Sequence, residues 1–130
     1  MAANKLEASE VSQQDELVAA MNANIETQEK ALADGVPFTN QSFMTIRALF
    51  GVLVTEAESF RDEVASRLRE EWDEKSERWQ ESDRGQEVGD FIDSWESADF
   101  SSFEDDLNEE PRFDDMNSIV EELQGMDTAI

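Results

Sequence analysis

The chain has 130 residues, with 33 acidic against 10 basic side chains and no histidine, so its formal charge is −23. Cysteine is absent, which excludes disulfides, thiolate nucleophiles and cysteine metal ligands. Tyrosine is absent too, so any acid–base or nucleophilic chemistry would rest on carboxylates, lysine, serine and threonine. The charge disfavours direct binding of nucleic acid, because lysine and arginine are needed to neutralise phosphates.

The length suits one folding unit, which we divide into residues 1–96, a helical hairpin plus a third helix, and residues 97–130, an acidic arm with a short terminal helix. Glycine and proline are scarce, which favours helices over a turn-rich sheet fold. Residues 1–6 lack the apolar run of a signal peptide, and no stretch is long enough to cross a membrane. We therefore expect an intracellular protein without a membrane partner.

The first predicted helix runs from about Ser9 to Asp34. Its apolar seam repeats every seven residues and comprises Val11, Val18, Ile25 and Leu32, with Met21 added. Gln14 and Gln28 occupy intervening seam positions, which makes the seam partly polar. Gly35 and Pro37 predict the end of this helix.

The second predicted helix is capped by Thr39 or Asn40 and continues to about Ser82, a length of about 65 Å at 1.5 Å per residue. Its apolar stripe comprises Phe43, Ile46, Phe50, Leu53, Ala57, Phe60, Val64, Leu68, Trp72 and Trp79. Opposite charges four residues apart predict stabilising pairs on its outer face. These pairs are Glu63 with Arg67, Glu71 with Lys75, and Glu74 with Arg78.

The stripe of the second helix is wider than one short helix can cover. We therefore expect the first two helices to form an antiparallel, coiled-coil-like hairpin that pairs with a second copy as a homodimer. The residues expected in the dimer interface are Phe50, Leu53, Ala57 and Phe60.

Two shorter helices are predicted in the last third of the chain. The first places Val88, Phe91, Ile92 and Trp95 on one side, and the second, from about Asp114 to Gln124, groups Met116, Ile119, Val120 and Leu123. Between them, residues 97–112 have little periodicity and predict a loop or an arm that is ordered by a partner. The fold class is therefore all-α: a long-helix hairpin, two shorter C-terminal helices and an acidic loop.

The aromatic residues allow two interpretations, as core or as interface. We expect Trp72 and Trp79 to pack against Phe91 and Trp95 when the third helix folds back. For the phenylalanines of the acidic stretch the pattern leaves core and interface equally open. These are Phe100, Phe103 and Phe113.

Charge is distributed unevenly along the chain. Residues 1–51 carry a net charge of −4, residues 52–84 carry −5, and residues 85–130 carry −14 with Arg112 as their single base. The last third therefore predicts a nearly pure anionic surface.

The acidic residues match no recognised catalytic or metal pattern. Residues 99–110 lack the glycine that a calcium loop needs at its sixth position. A di-iron bundle needs histidine, and glycoside hydrolysis needs a sugar cleft that so short a helical chain rarely builds. We expect no enzymatic activity, no cofactor and no specific metal site.

Residues 76–85 read S-E-R-W-Q-E-S-D-R-G and are followed by Phe91-Ile92-Asp93 and Trp95-Glu96. This pattern, S-E-R-W-Q-x-S-x-x-G, resembles a segment in small proteins of unknown function carried by bacteriophages and related mobile elements. The resemblance implies a mobile-element origin and the cytoplasm of a bacterial host, and it carries no catalytic role.

Charge and resemblance together favour a nucleic-acid mimic, an acidic inhibitor that occupies the DNA- or RNA-binding surface of a basic host protein such as a CRISPR effector or a restriction enzyme. The residues predicted to bind that partner are Asp90, Asp93, Glu96, Asp99, Glu104, Asp105, Asp106, Glu109 and Glu110. The alternative is a dimeric helical structural or adaptor protein whose charge maintains solubility. A third possibility is a protein adapted to high salt.

Overall fold

The computed structural model describes residues 3–100 and 103–130, so Met1, Ala2 and the arm residues Ser101 and Ser102 lie outside the described residues. The helices of these ranges are α1 (Ala8–Ala33), α2 (Gln41–Asp73), α3 (Glu77–Glu81), α4 (Asp83–Ser97) and α5 (Phe113–Gln124). The same ranges contain no strand, and one isolated antiparallel bridge joins Lys5 to Ala129. The predicted all-α class is confirmed.

Helices α1 and α2 form the predicted antiparallel hairpin. Near its turn, the Asn24 side chain donates to the carbonyl oxygen of Ile46 at 2.9 Å, and at the far end Arg67 Nε donates to Glu10 Oε2 at 2.9 Å. Gly35 ends α1 with a φ of 90°, a conformation that favours glycine. Asn40 begins α2 by accepting a hydrogen bond from the Phe43 amide at 3.1 Å.

Helix α2 ends at Asp73, so the prediction of one helix continuing to Ser82 is wrong. The Gln80 side chain donates to the carbonyl oxygen of Trp72 at 3.0 Å and satisfies a group at the end of α2. Ser76 then starts α3, where its hydroxyl accepts from the Trp79 amide at 3.2 Å. The helix is interrupted here because the side chains of Ser76 and Gln80 form hydrogen bonds with backbone groups at the break. Serine readily makes such bonds at the start of a helix.

The early end of α2 changes the expected charge pairs on its outer face. Glu74 and Arg78 no longer share a helix. Arg67 pairs with Glu71, with Nη1 3.0 Å from Oε2, and across the hairpin with Glu10. The predicted Glu63–Arg67 and Glu71–Lys75 pairs are replaced by these contacts.

Helix α4 folds back along α2 as predicted, but the ring contact found for Trp95 is with Phe60 of α2. Trp95 is fully buried, and its ring meets Phe60 edge to face with centroids 5.9 Å apart. The Trp72 indole donates to the carbonyl oxygen of Gly85 at 2.9 Å. Gly85 itself is required, because a Cβ there would lie 2.0 Å from the carbonyl oxygen of Trp79.

Helix α5 packs against α1 through the polar seam positions. Gln14 is buried, and its side chain donates to the carbonyl oxygens of Leu123 at 2.9 Å and Met126 at 3.2 Å, which satisfies the end of α5. Gln28 is buried beside Asn24, to which it donates at 2.7 Å. One apolar cluster includes side chains from both parts of the chain, residues 1–96 and residues 97–130.

The residues expected to form a dimer interface belong instead to the core of a single chain. Phe50, Ala57 and Phe60 are each no more than 1% exposed, and Leu53 is half-buried. The buried face of α2 also differs from the predicted stripe. Arg47 and Val54 belong to it, and Ile46 is only half-buried. Phe50, Ala57 and Phe60 are covered without a second copy, so their assignment to a dimer interface is corrected.

Among the described residues, no helix combines the length and the apolar character that crossing a membrane requires.

Candidate partner-binding surface

Helix α4 and the segment after it follow α2 from its C-terminal half towards its start. Three arginines of α2 contact successive parts of this path: Arg69 contacts α4, Arg61 contacts the end of α4, and Arg47 contacts the segment beyond. On one continuous helix, Arg69 and Arg47 are separated by about 33 Å at 1.5 Å per residue. The acidic part of the chain is therefore attached along most of α2.

At the first attachment, Arg69 holds two of the predicted carboxylates. Its Nη2 lies 2.7 Å from Asp93 Oδ1 and 2.5 Å from Glu96 Oε1, while its guanidinium stacks 5.2 Å from the Trp72 ring. The hydrogen bond with Glu96 raises the pKa of Arg69 above its ordinary value. Asp93 remains 67% exposed and Glu96 40% exposed, so both carboxylates face solvent while paired.

At the second attachment, Arg61 donates to the carbonyl oxygen of Ala98. Its guanidinium carbon lies 5.9 Å from the centroid of the Phe100 ring, and Phe100 is fully buried. The structure therefore places Phe100 in the core, one of the two outcomes that the sequence leaves open. Phe103 is half-buried and meets Phe50 edge to face with centroids 5.2 Å apart.

At the third attachment, the buried Arg47 binds the most acidic part of the chain. Its Nε and Nη2 donate to the Asp105 carboxylate at 2.7–2.9 Å, a bidentate pair. Nη2 also donates to the carbonyl oxygen of Asp106 at 2.8 Å, and Nη1 to that of Glu109 at 2.6 Å. One guanidinium thus fixes three residues of the segment. We call this arrangement the Arg47 clamp.

The clamp changes the interpretation of residues 97–112. The described residues of this stretch beyond Ser97 form no helix, in line with the sequence analysis. The sequence analysis also allowed an arm that becomes ordered only when a partner binds. In the structure, the buried Phe100 and the Arg47 clamp already attach this segment to the helices. We refer to residues 98–112 as the acidic arm.

Of the nine predicted partner-binding residues, eight are exposed and Asp105 is not. The side chain of Asp105 is 17% exposed and binds Arg47, so its role is structural, and its assignment as a contact residue is corrected. Asp106 Oδ1 accepts from the Asn108 amide at 2.9 Å, and Glu109 pairs with Arg112 at 3.0 Å. The exposed members are Asp90, Asp93, Glu96, Asp99, Glu104, Asp106, Glu109 and Glu110.

Sequence reasoning missed Arg47. Its position follows Phe43 by four residues and precedes Phe50 by three, which is core spacing on a helix. A single arginine at a core position predicts a buried charge that needs a carboxylate partner. The partner could not be identified in this way, because Asp105 lies 58 positions away along the chain.

Other arginines also contact their own chain. Arg67 binds Glu10, with Nη2 2.5 Å from Oε1, and this hydrogen bond raises the pKa of Arg67. Arg84 donates to the carbonyl oxygen of Ile130 at 3.0 Å and lies 3.4 Å from Glu87. Positive charge is therefore largely engaged in internal contacts, while carboxylates dominate the exposed surface.

The acidic arm forms an open recess of about 260 Å³. Its lining residues are Arg47, Glu104, Asp105, Asp106, Glu109, Glu110 and Arg112. The described part of the chain contains no group of three or more acidic residues placed to hold a metal ion. The recess offers carboxylate acceptors, which suit the guanidinium or ammonium group of a basic partner.

Comparison with known proteins gives no relative, since no protein-family model, curated protein or solved structure matches this chain significantly.

Proposed function

We propose that the protein is a non-catalytic, acidic mimic of nucleic acid that occupies the DNA- or RNA-binding surface of a basic host protein. In this proposal it originates from a phage or related mobile element and acts in the cytoplasm of a bacterial host. Its target belongs to a defence system, such as a CRISPR effector or a restriction enzyme. No cofactor or metal takes part.

The observation that carries the proposal is the separation of charges on the folded chain. Arg47, Arg61 and Arg69 of α2 hold α4 and the acidic arm. The carboxylates of the arm other than Asp105 remain at the surface. An anionic surface held in a fixed shape attracts a basic groove at long range and loses little entropy on binding. A flexible acidic tail would lack the second advantage.

The spacing of the carboxylates is comparable with that of a nucleic-acid strand. The eight exposed carboxylates between Asp90 and Glu110 follow the part of α2 from Arg69 to Arg47, which is about 33 Å long, on average about one carboxylate per 4 Å. One strand of B-DNA carries about one phosphate per 3.4 Å of helix axis. Arg69, Arg47 and Arg112 offset part of this charge, so the match is in spacing more than in total charge.

The test is capture followed by competition. The full chain is immobilised, exposed to a bacterial lysate at low salt and washed with a salt step, because screening weakens contacts between exposed charges. Proteins released by salt are then bound again in the presence of excess duplex DNA or single-stranded RNA. We expect a nucleic-acid-binding protein to be captured, and we expect the competing nucleic acid to displace it.

A captured protein that binds DNA and this chain simultaneously contradicts the proposal. Capture that persists unchanged through the salt step also contradicts it, since an apolar contact would then carry the binding. Either result would favour the helical adaptor.

A further inference from the structure

From Gln41 to Thr55 the outer face of α2 is uncharged, and the exposed Glu56, one turn after Val52, is the first charge on that face. Residues 35–55 contain one charged side chain, Arg47, and that side chain is buried. The exposed residues of this face, here called the neutral strip, are Gln41, Thr45, Ala48, Leu49, Val52 and Thr55. In a chain of which 33% is charged, an exposed helical face without charge is exceptional.

The neutral strip is also the apolar part of the surface. Leu49 and Val52 are each 52% exposed and are among the few large apolar side chains that the described residues leave so exposed. The hydroxyls of Thr45 and Thr55 donate to carbonyl oxygens of their own helix at 3.0 and 3.2 Å. Because its threonine hydroxyls already have hydrogen-bond partners, the strip is suited to an apolar contact.

Gly51 supplies a second, independent observation. Glycine inside a helix costs about 1 kcal/mol relative to alanine. A Cβ at Gly51 would meet nothing within 4 Å, so packing within one chain does not explain the glycine. Gly51 lies three residues after Ala48 and four before Thr55, so it borders the strip on the side of these two residues. Its absence of a side chain would allow another helix to approach α2 closely there.

We infer that the neutral strip is the contact between two copies of this chain, which pair through their α2 helices. A second copy is the fitting occupant because two chains of charge −23 repel each other wherever carboxylates meet. A twofold contact places the same patch on both sides, so two uncharged strips face each other. A basic partner would be drawn to the acidic arm instead.

This dimer differs from the one that the sequence predicts, since it uses Leu49 and Val52 on the outside of α2 and leaves Phe50 and Phe60 in the core. It does not depend on the proposed function. Its response to salt is opposite to that of a charge-driven complex, because salt screens the repulsion between the two copies. We expect the dimer to strengthen as salt rises, whereas capture of a basic protein weakens.

The experiment is sedimentation equilibrium of the full chain from about 1 to 200 µM, a range that covers a weak contact of small area. Runs at about 0.05 M and 0.5 M NaCl compare weak and strong screening. We expect dimerisation in the micromolar range that tightens at the higher salt. Leu49→Glu should weaken it at least about 100-fold, because both carboxylates of the pair would be buried without partners. Leu49 is half exposed, so circular dichroism should show unchanged helicity.

Ser66→Glu is the matched control, since it adds the same charge to an exposed position of α2 outside the neutral strip. We expect its dimerisation to stay within about threefold of the parent, because distant substitutions act independently. A parent chain that stays monomeric at 200 µM in high salt overturns the inference. Equal dimerisation of Leu49→Glu and the parent overturns it too, as does equal weakening by the two substitutions.

Discussion

Two regions of this protein differ sharply in charge and are joined by a buried ion pair. Residues 35–55 hold one charged side chain, whereas residues 85–130 hold fifteen acids and one base. The single charge of the first region, Arg47, points inward and binds the acidic arm of the second. From Gln41 to Thr55, helix α2 thus presents a neutral face outward, while its buried Arg47 fixes the acidic arm.

The comparison shows how a few cations can shape a very acidic protein. A surface salt bridge contributes little to stability, and many scattered pairs would leave the arm loose. A buried arginine with several acceptors behaves differently, because removing it leaves charged and polar groups without partners. The number of carboxylates sets the charge, but the position of Arg47 sets where those carboxylates are held.

The largest expected effect comes from Arg47→Met, which removes the buried ion pair between the two regions. The Asp105 carboxylate and the carbonyl oxygens of Asp106 and Glu109 lose their donor. We expect the free energy of unfolding to fall by about 3–5 kcal/mol, as for other broken buried pairs. Urea denaturation followed by circular dichroism measures the loss.

Limited proteolysis of the same variant locates the damage. We expect the acidic arm to resist the protease in the parent and to be the first segment cut in Arg47→Met. Arg112→Met is the control, because Arg112 is 65% exposed and its pair with Glu109 should contribute less than about 1 kcal/mol. Equal stability and equal cleavage of the parent and Arg47→Met would show that the clamp does not hold the arm.

The next largest effect is expected at Gly85, within the acidic region. Gly85→Ala brings a Cβ to 2.0 Å from a backbone carbonyl oxygen of α3, and backbone atoms yield little. We expect a loss of about 1–3 kcal/mol, the usual cost of overpacking. Thermal denaturation of the purified variant measures it, and an unchanged melting temperature would contradict the close contact of α3 with α4.

The smallest effect is expected at Gly51, in the neutral region, and it has the opposite sign. Gly51→Ala meets no neighbouring atom and replaces a poor helix former, so the isolated chain should gain up to about 1 kcal/mol. Urea denaturation at low protein concentration measures this gain without a contribution from dimerisation. A clear loss of stability there would mean that Gly51 has a role within one chain.

Periodicity predicted the helices well wherever one apolar face is buried. The start of α2 at Asn40 and the apolar residues of α4 and α5 are confirmed. In the seam of α1, Val18, Met21 and Ile25 are buried as predicted, whereas Val11 and Leu32 are half-buried. The end of α2 was wrong because Trp72 and Trp79 continue the apolar spacing across a break. Ser76 and Ser82, each followed by an acidic residue, are helix-start signals that indicate this break.

The sequence predicts which acidic residues belong to the candidate site, but it does not predict how they are arranged in space. The run of acids from Asp90 to Glu110 can be counted in the sequence. Which carboxylates are held internally depends on pairs that are distant along the chain, such as Arg69 with Asp93 and Arg47 with Asp105. The pattern of residues 76–85 has a structural role. Ser76 and Ser82 begin α3 and α4, and Gly85 allows these two helices to lie close together.

The central claim is that the carboxylates of the acidic arm, fixed in place, carry the binding. Two variants with equal charge test it. One changes Glu104, Asp106, Glu109 and Glu110 to their amides and keeps Asp105 on Arg47. The other changes the exposed Asp15, Glu16, Glu26 and Glu29 of α1 in the same way. Both make the net charge less negative by four, so a general charge effect would act equally on both.

The deciding measurement is the concentration of each variant that displaces duplex DNA from the captured host protein at low salt. We expect that at least about tenfold more of the arm variant than of the parent is needed, a loss of about 1.4 kcal/mol in binding free energy. The α1 variant should stay within about twofold of the parent, because its charges lie outside the contact. Equal loss in both variants, or no loss in the arm variant, would contradict the account.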